Sequence, residues 1–120
     1  MVQLISREPA TGERLWEGTQ SDVDAEVAEA RAAWPKWASA SLTDRIEVIR
    51  RFANIARDAE DELADLIARE TGKPVWEART EVAAVVGKVD ISIKAYADRT
   101  SQRRVEGSGA RNALRHKPHG

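Results

Sequence analysis

Residues Glu70-Thr71-Gly72-Lys73-Pro74, followed by Glu77-Ala78 and Glu81-Val82, mark the point where two long amphipathic segments meet. Gly72 can enter the left-handed conformation that closes a helix, because it has no Cβ to clash. Pro74, with its fixed φ and no amide donor, suits the opening of the next helix. One helix is therefore expected to end and another to begin within these few residues. Upstream, Ile46, Ile49, Ala53, Ala56, Leu63 and Ile67 form an apolar stripe broadened by Phe52, Ile55 and Leu66. This spacing predicts a helix starting near Ser41 or Thr43 and running about seven turns. Downstream, Ala78, Val82, Val85, Val86, Val89, Ile93, Tyr96 and Ala97 predict a further helix whose β-branched residues need tertiary burial to offset their modest propensity.

Moving outward, Ser21-x-x-Asp24 reads as a capping signal. Val23, Val27, Ala30, Trp34 and Trp37 then share one face of a first helix over roughly residues 22–38, with Pro35 loosening its last turn. Two short apolar segments around Pro9-Ala10-Thr11-Gly12 read as a small hairpin within residues 1–19. After Arg99 the pattern changes to Thr100 through Glu106, then Gly107-Ser108-Gly109, then Asn112 through Lys117, which reads as two edge-type strands around a Gly-rich turn. The predicted fold class is mainly α with small β segments: three amphipathic helices over residues 21–99, a hairpin before them and strands after them.

Composition limits what the chain can do. With 120 residues, 42% hydrophobic and 32% charged, it is a helix-rich chain of at most one modest domain. There is no apolar run of transmembrane length and no basic segment leading into an apolar h-region, so a cytoplasmic location without membrane partners is expected. The sequence has no cysteine, which removes disulfides, thiolate metal ligands and a thiolate nucleophile from these residues. Residues 99–120 carry Arg99, Arg103, Arg104, Arg111, Arg115 and Lys117 against Glu106, a net of +5. Charge of this kind suits an anionic partner, but alone it does not establish nucleic-acid binding.

Nearly the whole chain resembles the N-terminal region of the aldehyde dehydrogenase superfamily. The resemblance rests on the Pro9-Ala10-Thr11-Gly12-Glu13 turn, the Ala-rich first helix with Trp34 and Trp37, and Arg45 at the head of the second helix. It continues through Glu62-Leu63-Ala64, the Glu70–Pro74 joint, Glu77-Ala78, Glu81-Val82 and Lys117-Pro118-His119-Gly120. Lys88 through Tyr96, Arg99-Thr100 and Ala113 through Gly120 are similar to the succinylglutamate-semialdehyde group within it. That resemblance implies NAD-dependent oxidation of N-succinylglutamate 5-semialdehyde in bacterial arginine catabolism. It also implies a cysteine nucleophile, an asparagine oxyanion donor, a glutamate base and a Gly-containing cofactor turn, all beyond Gly120. No catalytic, cofactor-binding or metal-ligating residue is carried over to residues 1–120. The expectation is an incomplete segment, cut short at both ends and inactive by itself. Residues 100–120 would begin the oligomerisation strands and approach the first dinucleotide-domain strand. The expected partners are the remainder of the parent and further copies of it, with NAD bound elsewhere. A stand-alone helical protein-interaction module is the alternative.

Several residues invite a sharper reading. Glu77 and Glu81 share a helix face and, with Glu70, resemble an acid–base cluster, but no histidine accompanies them and solvated charges explain them better. Glu81 can instead bond to a neighbouring element. Lys73 follows a glycine without the remainder of a phosphate loop. His116-x-x-His119 falls in a predicted strand without a matching carboxylate or thiolate. Trp16, Trp34, Trp37 and Trp76 stand at packing positions, far in sequence from the basic tail. Lys94, Tyr96 and Arg99 remain as candidates for attracting an anionic substrate in the parent, because cations can meet its carboxylates.

Overall fold

The computed structural model describes residues 3–100, 103–107 and 110–119. Strands β1 (Gln3–Arg7) and β2 (Arg14–Thr19) form an antiparallel hairpin. Helices α1 (Val23–Ser39), α2 (Leu42–Asp58), α3 (Glu60–Thr71) and α4 (Val75–Arg99) follow. Strands β3 (Arg103–Gly107) and β4 (Ala110–Leu114) close the order as a second antiparallel hairpin. The mainly helical class with a β hairpin at each end is therefore observed. Met1 and Val2 of the first hairpin lie outside the described residues, as do Ser108 and Gly109 of the expected second turn.

Four helices replace the expected three, because the long second segment breaks at Ala59. Its φ of −95° and ψ of 15° lie in the sparsely allowed bridge region between the main conformations. Charge explains why the break is stable there: Glu60, Asp61 and Glu62 fill the first turn of α3, and Arg57 sits in the last turn of α2. Both placements suit helix ends rather than a helix interior. Ala53 and Ala56 of the expected stripe are buried, as are Ala64 and Ala68 of α3, whereas Phe52 and Ile55, expected to broaden that stripe, are more than half exposed.

Among the described residues those buried are all Ala or Val: Ala53, Ala56, Ala64, Ala68, Ala78, Val82 and Val89. Ala64, Ala68, Ala78 and Val82 form one cluster between α3 and α4, flanked by Leu63 and Ile67. Small side chains let the two helix backbones approach closely, so α3 and α4 pack mainly through shape. Helix α2 also lies against α4, while α1 has no buried residue. The cap of α1 is Asp22, one residue after the expected Ser21, and its carboxylate accepts from Asp24 N and Ala25 N. The helix runs through Pro35 to Ser39. Ser41 caps α2 as expected by accepting from Asp44 N at 3.1 Å. β4 ends at Leu114, opposite Arg103 at the start of β3, so His116 lies past the paired segment rather than within a strand.

Candidate functional site

The Glu70–Pro74 joint is where the elements converge. Gly72 has φ +74°, and its N–H donates to Ala68 O at 2.8 Å, closing α3 as the sequence predicts. Pro74 O then accepts from Glu77 N and Ala78 N, which opens α4. The Glu70 carboxylate accepts from Ser6 Oγ at 2.5 Å and from Trp16 Nε1. These two residues are direct partners across the β1–β2 register, so a single carboxylate bridges both strands of the hairpin to the end of α3. Next to it, Arg69 reaches Glu8 at 3.5 Å and Glu13 at 3.4 Å, on the two sides of the hairpin turn. The Ser6 and Trp16 hydrogen bonds hold the Glu70 carboxyl below its ordinary range, the Ser6 bond contributing most.

Glu70 and Glu81 have separate partners, so the three acids do not act as one cluster. Glu70 turns to the hairpin, while Glu81 bonds Lys73 across the joint. That bond is the main reason the Lys73 ammonium is held above its usual range, with burial opposing it and the charges of Glu81 and Glu77 adding to it. Glu81 thus bonds to a neighbouring element as the sequence suggested, and Lys73 with Glu81 braces the joint as a charge pair. Arg69 and Ser6 had no role in the sequence reading. Long-range pairing between a hairpin and a helix end leaves no periodic signal in the chain.

At the far end of α4, Lys94 pairs with Asp98 at 2.7 Å on an exposed face. Tyr96 and Arg99, three residues apart, occupy adjacent positions, whereas Lys94 precedes Tyr96 by two and points to another side of the helix. The three candidates therefore do not converge on one point. Tyr96 helps to line a hollow of about 240 Å³ between the end of α1, the start of α2 and α4, together with Trp37, Arg45, Ile46, Val89 and Ile93. Arg45 Nε is enclosed there and has no hydrogen-bond partner among the described residues. His119 stands apart, beside Val27, Ala30, Arg31 and Trp34 of α1. None of the four tryptophans is buried, and Trp76 is 70% exposed. Among the described residues, no group of three or more His, Asp or Glu is placed to hold a metal ion, and no helix is long and apolar enough to cross a membrane.

Residues 3–120 match the model of the aldehyde dehydrogenase family. The chain belongs to that family. Within it, the chain is 63% identical over 119 residues to the N-succinylglutamate 5-semialdehyde dehydrogenase of Sphingopyxis alaskensis, covering 98% of this chain and 25% of that protein. The protein of the same name from Novosphingobium aromaticivorans is 59% identical over 120 residues, covering 99% and 26%. This aldehyde dehydrogenase chain thus spans about a quarter of the length of the curated relatives it matches. Its fold is that of part of an NAD-dependent benzaldehyde dehydrogenase from Corynebacterium glutamicum, with a TM-score of 0.77 at 21% identity, covering 88% of this chain and 24% of that one. The described elements do not fit a dinucleotide. Their strands form two antiparallel hairpins, and none provides the parallel strand, Gly-rich turn and helix that hold a pyrophosphate.

Proposed function

We propose that the chain is the N-terminal segment of an NAD-dependent dehydrogenase that oxidises N-succinylglutamate 5-semialdehyde to N-succinylglutamate, a cytoplasmic step of arginine catabolism. The observation that carries this reading is the 63% identity, collinear over 119 residues, to a protein named for that substrate. In this reading residues 1–120 are a scaffold. Glu70 and Arg69 fix the hairpin to α3, Gly72 and Lys73 set how α4 leaves the joint, and α4 presents Tyr96 and Arg99 toward the substrate side of the parent. NAD and the thiolate nucleophile belong to the remainder of the parent, which assembles into a homo-oligomer. The alternative, a stand-alone interaction module, gains nothing from a match that runs through the whole chain.

The test is a comparison of two proteins. The longer protein carrying residues 1–120 should form NADH from N-succinylglutamate 5-semialdehyde faster than from aldehydes without carboxylates. The 120-residue chain alone should form none, because it contains no cysteine. NADH formation by the isolated chain would overturn the reading, as would a longer protein that prefers an uncharged aldehyde.

A further inference from the structure

We propose that Arg45 and the hollow around it are a seat for a carboxylate, and that the occupant is an acidic side chain on the part of the parent protein outside residues 1–120. This rests on reading the chain as one segment of a longer dehydrogenase. Arg45 occupies the first turn of α2, where the positive end of the helix disfavours a cation. Its Nε is enclosed without a hydrogen-bond partner among the described residues, and an enclosed donor left unpaired is costly. Four other arginines meet carboxylates within the chain: Arg14 meets Glu17, Arg50 meets Asp90, Arg69 meets Glu8 and Glu13, and Arg79 meets Asp61. Beside Arg45 the hollow is lined mostly by apolar side chains, Trp37, Ile46, Val89 and Ile93 among them, with Ser92 and Tyr96 the polar ones, and no carboxylate is among the described residues that line it.

Charge complementarity selects the occupant. Nε and its neighbouring amino group form a side-on edge that takes both oxygens of a carboxylate once the enclosing side chains open around it. A main-chain carbonyl would bring one acceptor and no charge. Apolar walls suit an acid flanked by apolar side chains on a packed segment. A free dicarboxylate would lose water from its second carboxylate there and gain no partner for it. About three quarters of the length of the curated relatives lies outside the matched region, which supplies such a segment.

The experiment uses the longer protein carrying residues 1–120. Its structure should show an Asp or Glu carboxylate from beyond residue 120 at hydrogen-bond distance from Arg45 Nε. Arg45→Leu and neutralisation of that acid should each lower Tm by several degrees, and together by less than the sum of the two shifts. Should Arg45→Leu fail to fold, the wild-type structure and the variant of the acid still decide. A main-chain carbonyl, a second copy or substrate at Nε overturns the proposal, as do strictly additive shifts. So does an Arg45→Lys variant with unchanged Tm and a KM raised roughly tenfold for carboxylate-bearing aldehydes alone. NADH formation by the wild type tests the functional reading separately, so a carboxylate found at Arg45 in an inactive protein would sink only that reading.

Discussion

Glu70 and Gly72 stand two residues apart and do different work, one through charge and one through backbone shape. The Glu70 carboxyl is held below its ordinary value of 4.5 by the bonds from Ser6 and Trp16. A depressed carboxylate stabilises the fold at pH above the unfolded value, and that contribution is lost as pH falls through the lower folded value. The Trp16 indole N–H resonance should therefore hold its position at neutral pH and move in acid, with a midpoint below that of an ordinary glutamate. In Glu70→Gln the same resonance should already be displaced at neutral pH and show no step of this kind. An unshifted Trp16 signal in that variant would mean the hairpin docks without the charge. At Gly72, with φ +74°, a Cβ would meet only Pro9 at 3.9 Å, an ordinary contact. The cost of Gly72→Ala is thus backbone strain rather than collision, about 1–2 kcal/mol, readable from the urea midpoint. A neutral substitution would show that the joint relaxes out of the left-handed conformation.

Among the elements, helix packing was legible where punctuation was strong and obscure where it depended on partners. Gly72, Ser41 and the long pattern of α4 placed three boundaries correctly, because each boundary has a local cause in φ freedom, capping or periodicity. Ala59 has no such mark, and the acids that follow it make sense as a helix start only once the break is known. The apolar stripe placed Ala53 and Ala56 inward correctly, but its broadening by Phe52 and Ile55 did not hold, since both stay more than half exposed. Close approach of α3 and α4 selects alanine; Ala78 and Val82 were legible as inward positions of α4, whereas Ala64 and Ala68 gave no comparable signal. Ala78 is fully buried in that contact. Ala78→Leu should overpack it and cost about 1–3 kcal/mol, whereas Ala83→Leu on an exposed position of the same helix should change little. Equal effects at the two sites, measured by denaturant unfolding, would argue that α3 and α4 do not pack through this row. At the candidate site, Lys94, Tyr96 and Arg99 were legible as charges and a ring. Their separation around the helix and the pairing of Lys94 with Asp98 came only from the structure.

For the whole molecule, surface area decides whether the chain is self-sufficient. A compact monomer of 13.3 kDa should expose about 6,500 Å², yet this chain exposes 10024 Å². Its radius of gyration is 20.7 Å, against about 14 Å for a compact domain of 120 residues. Large apolar side chains contribute to the surplus: Val23, Val48, Phe52, Ile55, Trp76 and Ile91 are each more than half exposed. Among the described residues the buried core is Ala and Val alone, and apolar exposure on that scale is the character of a surface that another surface covers. Alone, it should self-associate or bind an apolar dye, with a thermal transition that broadens and shifts with concentration. Supplied with the remaining portion of its Sphingopyxis alaskensis relative, it should instead form one soluble complex with a sharper transition. Sedimentation velocity across a concentration series separates the two outcomes. A monomer with a sharp, concentration-independent transition would show that residues 1–120 fold autonomously, and the covering role given to the rest of the parent would then fail.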